Sequence, residues 1–436
     1  MARFHYTILS RAVAGREEEF VAWYRDQHMA DVCRMPGVVS GRLYRMDFQR
    51  VYNLDDAPQW TLMTVYELEC DDPEPVINHI RDTSGSEVMP ACEALNKAGM
   101  IQAAGHLSAS GEGTAGIADG TVRVPARDVP IPAFLSDVAK ASLMPQGGSL
   151  PYPAMDDKAG WRAYVEAVDQ NVLPMLRMMI PQAAAEVEER DADGARVYEI
   201  VPPGLSPDDR GVILEIHGGG LIMCGGELCR LMGTGAALRL QKRVWSVDYR
   251  MPPDHPYPTP LDDCLAAYRA LLREREPHEI IISGGSAGGN LAAALILRAR
   301  DEGLPLPAGA ILATPEADLT ESGDSFNTNN GVDPGLRSLM TVNLLYADGH
   351  DLAHPYLSPL FGDFTKGFPR TLLTTGTRDL YLSNTVRMHR ALRAADIPAE
   401  LHVTEAGPHT GFPGGPEGAE IDRELRRFIA EALGAG

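Results

Sequence analysis

Three side chains far apart in the chain carry types that together perform acyl transfer: Ser286, Asp379 and His409. Ser286 sits in Gly284-Gly285-Ser286-Ala287-Gly288, directly after the apolar run Ile280-Ile281-Ile282. A hydroxyl is a weak nucleophile until a base takes its proton and an acid orients that base. Small residues let a strand turn sharply into a helix, and such a turn lifts the hydroxyl into the open. The helix start behind Ser286 aims unpaired N–H groups at developing negative charge. A glycine-rich turn could also hold phosphate, but this one lacks the P-loop lysine and the G-x-G-x-x-G spacing.

The alkoxide chemistry also needs donors for an oxyanion. His217-Gly218-Gly219-Gly220 follows the apolar stretch Val212–Ile216, and such glycine loops bring backbone N–H groups close to a reacting carbonyl. The amide of Ala287, next to the nucleophile, is a further expected donor. Each donor contributes about 2.7–4 kcal/mol of transition-state stabilisation. His217 is expected to fix the loop rather than act as the base. Asp379 lies in TTGTRDLYLSN at the tip of a predicted strand, where active-site residues gather in open sheets. His409 follows the last predicted strand, in EAGPHTGF. The chain order is serine, acid, histidine.

These residues need a scaffold. From residue 184 onward, strand and helix patterns alternate, which predicts a doubly wound, mostly parallel sheet. It opens with a hairpin around Asp193-Gly194. Predicted strands cover 211–217, 244–249, 279–283, 308–314, 370–376 and 399–405. Predicted helices cover 228–241, 261–274, 289–302, 383–395 and 420–433. Residues 133–180 read as a helical cap with five methionines, Met144, Met155, Met175, Met178 and Met179, which suit either core filling or an apolar pocket. Residues 111–132, rich in Gly, Pro, Ser and Asp, read as a linker between a domain at 1–110 and one at 133–436. The first domain shows the order βαββαβ of an α+β ferredoxin-like sheet: strands at 4–10, 38–48, 59–68 and 100–109, and helices at 17–35 and 72–83.

The bulk properties restrict partners. The 436 residues carry a formal charge of −21, which disfavours nucleic acid and anionic membranes. No stretch has the ~20 apolar residues of a membrane helix, and the N-terminus lacks a signal peptide, so a cytoplasmic protein is expected. The six cysteines form no CxxC pair or disulfide framework. Cys224 and Cys229 are five apart, but no histidine or further cysteine is placed in sequence to complete a zinc site. No metal or organic cofactor is expected.

HGGG, SVDYRMPPDHPYPTPLDDCLAAY, GGSAGGN, TGTRDLYLSN and HTGF together resemble the hormone-sensitive-lipase-like branch of the α/β-hydrolases, the HGGG carboxylesterases. TRDLYLSN is most similar to a subgroup with bacterial lactone hydrolases and small-ester esterases. The resemblance implies Ser286 as nucleophile, His409 as base and Asp379 as its orienter. It implies Gly219, Gly220 and Ala287 as oxyanion donors, and structural roles for Asp263 and Tyr249. The loop after HGGG, LIMCGGE, departs from the family pattern where it would border the acyl pocket; Leu221 and Met223 are the substrate-binding candidates there. The substrate is then a small to medium apolar ester or a lactone. A ring-opening lactonase and a ligand-binding protein on a hydrolase scaffold are the alternatives, and the presence of His409 argues against the latter.

FVAWYRDQHMADVCRMPGVVSGRLYRM resembles the EthD-like dimeric α+β barrel superfamily. That resemblance implies a homodimer formed sheet to sheet, and leaves open a second chemistry. His28 and Asp31 stand one helical turn apart, either as a ligand or proton-shuttling pair, or as an ordinary surface pair or a packing histidine near the barrel mouth.

Overall fold

The computed structural model describes residues 2–47, 60–108, 128–144, 150–180 and 185–434. The chain divides into two compact units, Met1–Arg127 and Asp128–Gly436. The expected linker lies mostly outside the described residues.

The first unit contains β1 (Ala2–Ala12), α1 (Glu17–Trp23), a π-helical turn at Tyr24–His28, α2 (Met29–Cys33), β2 (Val38–Arg45), β3 (Leu62–Cys70), α3 (Pro73–Thr83) and β4 (Leu95–Gly105). The strands form one antiparallel sheet in the order β2-β3-β1-β4. Period-two alternation puts Tyr6, Ile8, Leu62, Tyr66 and Leu68 on the covered face, packed with Val32 and Ile80 from the helices. Strand β4 begins five residues earlier than its sequence pattern predicts. A bulge between Leu9 and Arg11 shifts the register so that Arg11 pairs with Asn96.

The second unit opens with α4 (Asp137–Ser142) and the long α5 (Lys158–Met179). A hairpin follows, β5 (Glu186–Ala192) and β6 (Ala195–Val201), with Asp193 and Gly194 both at positive φ. Then come β7 (Val212–Ile216), α6 (Glu227–Leu240), β8 (Arg243–Asp248), α7 (Thr259–Leu272), β9 (Ile280–Gly285), α8 (Ala287–Asp301) and β10 (Gly309–Ala313). Two short helices, α9 (Ser325–Thr328) and α10 (Met340–Ala347), precede β11 (Thr371–Gly376), α11 (Leu382–Ala394), β12 (Ala399–Thr404) and α12 (Pro416–Ala432).

The eight strands are ordered β12-β11-β10-β9-β7-β8-β6-β5. Strands β7 to β12 pair in parallel, while β6 meets β8 antiparallel, so the sheet is mixed at one edge. The central β7 and β9 are near-continuous apolar runs because helices cover both faces. On one face α7 and α8 enclose the larger core. On the other, α12 presents Ile421, Leu425, Phe428 and Ile429, the i, i+4, i+7, i+8 stripe of an amphipathic helix. Helix α6 approaches the sheet closely: a Cβ on Gly233 would lie 2.6 Å from that of Ser246.

The cap region is less uniform than its composition implies. Helix α4 packs Leu135, Ala139 and Leu143 against Ala406 and Phe412, beside the His409 loop. Helix α5 buries Trp161 against Ile222 and Val342. Met144, Met155, Met175, Met178 and Met179 are all exposed, so none of the five serves as core filling within this unit.

Candidate active site

The serine turn is forced by its glycines. Ser286 closes β9 at φ 58°, a positive value an L-residue adopts only under constraint. Its N–H donates to Ala313 O (2.9 Å), and its carbonyl accepts from Asn290 (3.2 Å) and Glu316 (3.1 Å). A Cβ on Gly284 would lie 2.2 Å from Gly288 O, and one on Gly288 would lie 1.9 Å from Ile216 O. Neither position admits another residue without moving backbone.

Ser286 Oγ donates to His409 Nε2 at 2.9 Å, and His409 Nδ1 donates to Asp379 Oδ1 at 3.0 Å. The three residues thus meet from the ends of β9, β11 and β12, although 123 positions separate the serine from the histidine. Asp379 is fully buried. Its Oδ1 also accepts from the Tyr381 amide (2.9 Å), and its Oδ2 from Thr375 Oγ1 (2.6 Å). Burial alone would lower the His409 pKa, but the adjacent Asp379 carboxylate outweighs it, and the net shift is upward from 6.5.

The glycine loop lies against the serine. A Cβ on Gly218 would stand 3.0 Å from Gly285 O and 3.4 Å from Ser286 Cβ. Gly219 (φ 117°) and Gly220 (φ 58°) turn the loop back so that Gly219 O accepts from Ile222 and Met223. Among the described residues, the amides of Gly219, Gly220 and Ala287 have no hydrogen-bond acceptor. His217 Nδ1 donates to Gly218 O (2.7 Å), and its ring stacks on Tyr249 at 4.1 Å, which pins the loop. Leu221 is fully buried in the main core, whereas Met223 is half-buried beside Trp161. Asp169 of α5 accepts from the Cys224 amide at 3.0 Å, joining the cap helix to the same loop. Asp263 accepts from the Arg250 amide (2.8 Å) and its guanidinium, and Tyr249 OH donates to His217 O (2.9 Å).

Two carboxyl groups at this site escaped the sequence reading. Asp333 Oδ2 accepts from the amides of His409 (2.9 Å) and Leu380 (3.2 Å), and its Oδ1 from Gly335 and Leu336. It ties the histidine loop to the acid loop. Glu316 is buried beside Ser286, with its carboxyl facing Tyr381 and Asn343, yet neither oxygen completes a hydrogen bond among the described residues. Burial pushes that carboxyl up to about 7. No local motif marks either residue, because both act across long sequence separations.

His28 and Asp31 do not form a pair. His28 is buried in the π-helical turn, stacked on Trp23 at 4.4 Å, and burial holds its pKa down at about 4. Asp31 instead accepts from Arg34 at 2.7 Å.

A mostly parallel sheet with a glycine-flanked serine turn, a glycine loop and a buried Asp–His pair at its strand ends is the arrangement of the α/β class of hydrolases. The comparisons agree. The family described as alpha/beta hydrolase fold matches residues 213–413. An esterase from Acinetobacter venetianus is 36% identical over 241 residues, covering 53% of this chain and 77% of its own. An acetyl-hydrolase from Streptomyces hygroscopicus is 32% identical, covering 52% and 78%. A solved esterase aligns with TM-score 0.64 at 33% identity, covering 71% of this chain and 98% of its own. An esterase from the bacterial hormone-sensitive lipase family aligns with TM-score 0.57 at 29% identity, covering 65% and 94%.

The chain therefore belongs to the α/β-hydrolase esterases of the hormone-sensitive-lipase-like branch. It is a carboxylic ester hydrolase. No helix among the described residues is long and apolar enough to cross a membrane.

Proposed function

We propose that Ser286, His409 and Asp379 carry the hydrolysis, with the amides of Gly219, Gly220 and Ala287 receiving the oxyanion. The observation that carries this is the chain of hydrogen bonds from Ser286 Oγ through His409 to Asp379. His409 takes the Ser286 proton as Oγ attacks the ester carbonyl. The carbonyl π pair moves to oxygen, where the amides stabilise it. Collapse expels the alcohol, which takes the proton from His409 and leaves an acyl-Ser286. Water, deprotonated by His409, then releases the acid and restores the serine. Asp379 holds the imidazole in the tautomer with Nδ1 protonated.

The substrate in this reading is a small to medium apolar ester. Met223 follows the glycine loop and packs in one cluster with Trp161 of α5, whereas Leu221, fully buried in the main core, is not available to substrate in this structure. The acetyl-hydrolase relative supports a short acyl group. The first unit is read as a ferredoxin-like, EthD-like domain that forms a homodimer through its uncovered sheet face. Supporting this, Leu9 is in register with Met63 and Ile101 on that face, and Ile101 is 46% exposed. The protein is read as cytoplasmic.

The test is hydrolysis of p-nitrophenyl esters from acetate to decanoate, beside a lactone panel, by wild type and Ser286→Ala. Turnover of short esters that disappears in the variant supports the assignment. Retained turnover in the variant refutes Ser286 as nucleophile. Light scattering of the full chain, with and without Ile101→Glu, tests the dimer; a mass unchanged by the substitution argues against that face.

A further inference from the structure

Three metal-binding side chains converge beneath the glycine loop: His217 just after β7, Cys229 in the first turn of α6 and Asp248 at the end of β8. All three are buried, and their ligand atoms lie within 4.8 Å of one another. No sequence spacing places a histidine beside Cys229; the sheet brings His217 there.

The state of His217 is fixed by its surroundings. Gly218 O is only an acceptor, so Nδ1 carries the proton in their 2.7 Å contact. The lone pair is then on Nε2, which is buried without a hydrogen-bond partner among the described residues. A buried acceptor left unpaired is costly, and a cation would satisfy it. A histidine with one nitrogen donating to a carbonyl and the other free is the arrangement found in metal-ligating imidazoles. Asp248 is likewise oriented, by the Gly226 amide at 2.9 Å and by Arg196 Nε at 2.6 Å. A cavity of about 500 Å³ between α5 and the 222–226 and 248–254 segments is lined by Asp248 and Arg196.

We propose that His217 Nε2, Cys229 Sγ and the Asp248 carboxylate form a binding site for a thiophilic divalent cation such as Zn²⁺, entered from the Asp248 side. Nitrogen, sulfur and oxygen donors of these types suit tetrahedral zinc. Binding replaces the Cys229 S–H bond with a metal–sulfur bond, and the proton leaves to solvent. Arg196 competes with the ion for Asp248, and its side chain, 50% exposed, is free to swing out. The ion would tie β7, α6 and β8 together at the base of the glycine loop. Control of hydrolysis through that loop rests on the oxyanion assignment above; the binding itself does not.

The test is titration of the reduced full-length protein with Co²⁺, followed by near-ultraviolet thiolate-to-cobalt absorption. One equivalent should give the band, and Zn²⁺ should displace it. With one proton released, apparent affinity should rise about tenfold per pH unit. Cys229→Ser should lose the band, Arg196→Gln should strengthen binding several-fold, and Ser286→Ala should leave it unchanged. Absence of the band in reduced wild type overturns the site, as does an equal band in Cys229→Ser, which would assign the thiolate to another cysteine. If Cys229→Ser does not fold, Asp248→Asn decides: at least tenfold weaker binding supports the site, and unchanged binding overturns it.

Discussion

Asp333 holds His409 by its backbone, not by its ring: the His409 amide donates to Asp333 Oδ2 at 2.9 Å, while the imidazole is left to Asp379. The same oxygen accepts from Leu380, so one carboxylate joins the loop of Asp379 to the loop of His409. Asp333→Ala strands four amides, each costing about 1–3 kcal/mol if left unpaired. The expected result is a lower urea midpoint together with a reduced kcat. Wild-type kinetics in a folded variant would show that the loops hold their spacing without it.

Asp379→Asn should lower kcat by about 10⁴-fold, because the amide can hold the wrong imidazole tautomer. Circular dichroism should be unchanged. Ser286→Ala should cost about 10⁶-fold. Steady-state kinetics on p-nitrophenyl acetate measures both.

The pH dependence of kcat/KM should follow His409. The base works only when neutral, and Asp379 raises its pKa above 6.5. Activity should therefore fall with acid along a limb centred above that value. Asp379→Asn removes the stabilising charge, so its residual activity should show the limb displaced to lower pH. A limb at the same pH in both proteins would mean that another group sets it.

Glu316 predicts a stability profile of the opposite sign to that of a paired carboxylate. Its folded pKa, about 7, lies above the ordinary 4.5, so the folded state binds this proton more tightly. Its stabilising contribution is complete below 4.5 and declines as pH rises toward 7. Glu316→Gln should remove that part of the decline in melting temperature over the same interval. Identical profiles for the two proteins would place the carboxyl's titration elsewhere.

Trp161→Ala should loosen α5 from the glycine loop. Loss of a buried tryptophan costs about 3–5 kcal/mol, and Trp161 is fully buried against Ile222 and Val342. The expected kinetic signature is a raised KM for longer esters with a smaller change for acetate.

Much of this was legible because the hydrolase elements are strongly patterned. Continuous apolar runs marked β7 and β9, and the stripe of Ile421, Leu425 and Phe428 marked α12. The glycine positions announced the serine turn, since no larger residue fits there. The pairing of β6 with β8 was not legible, because alternation reports a strand but not its neighbour's direction. Asp333 and Glu316 were invisible for a related reason: each is a lone acid in a loop, and only tertiary contacts give it a task. For His28 the packing alternative is the one that fits, and only the regular helical spacing fails, because Tyr24–His28 form a π-helical turn.

The contact between Gly288 and Ile216, where a single methyl would fall 1.9 Å from a carbonyl oxygen, has an evolutionary consequence. It interlocks the turn behind Ser286 with the strand that leads into the glycine loop, so neither can drift alone. Substitutions that retune this enzyme for a new ester have to accumulate at the periphery, in α5 and the 221–226 loop. The centre is inherited whole or lost.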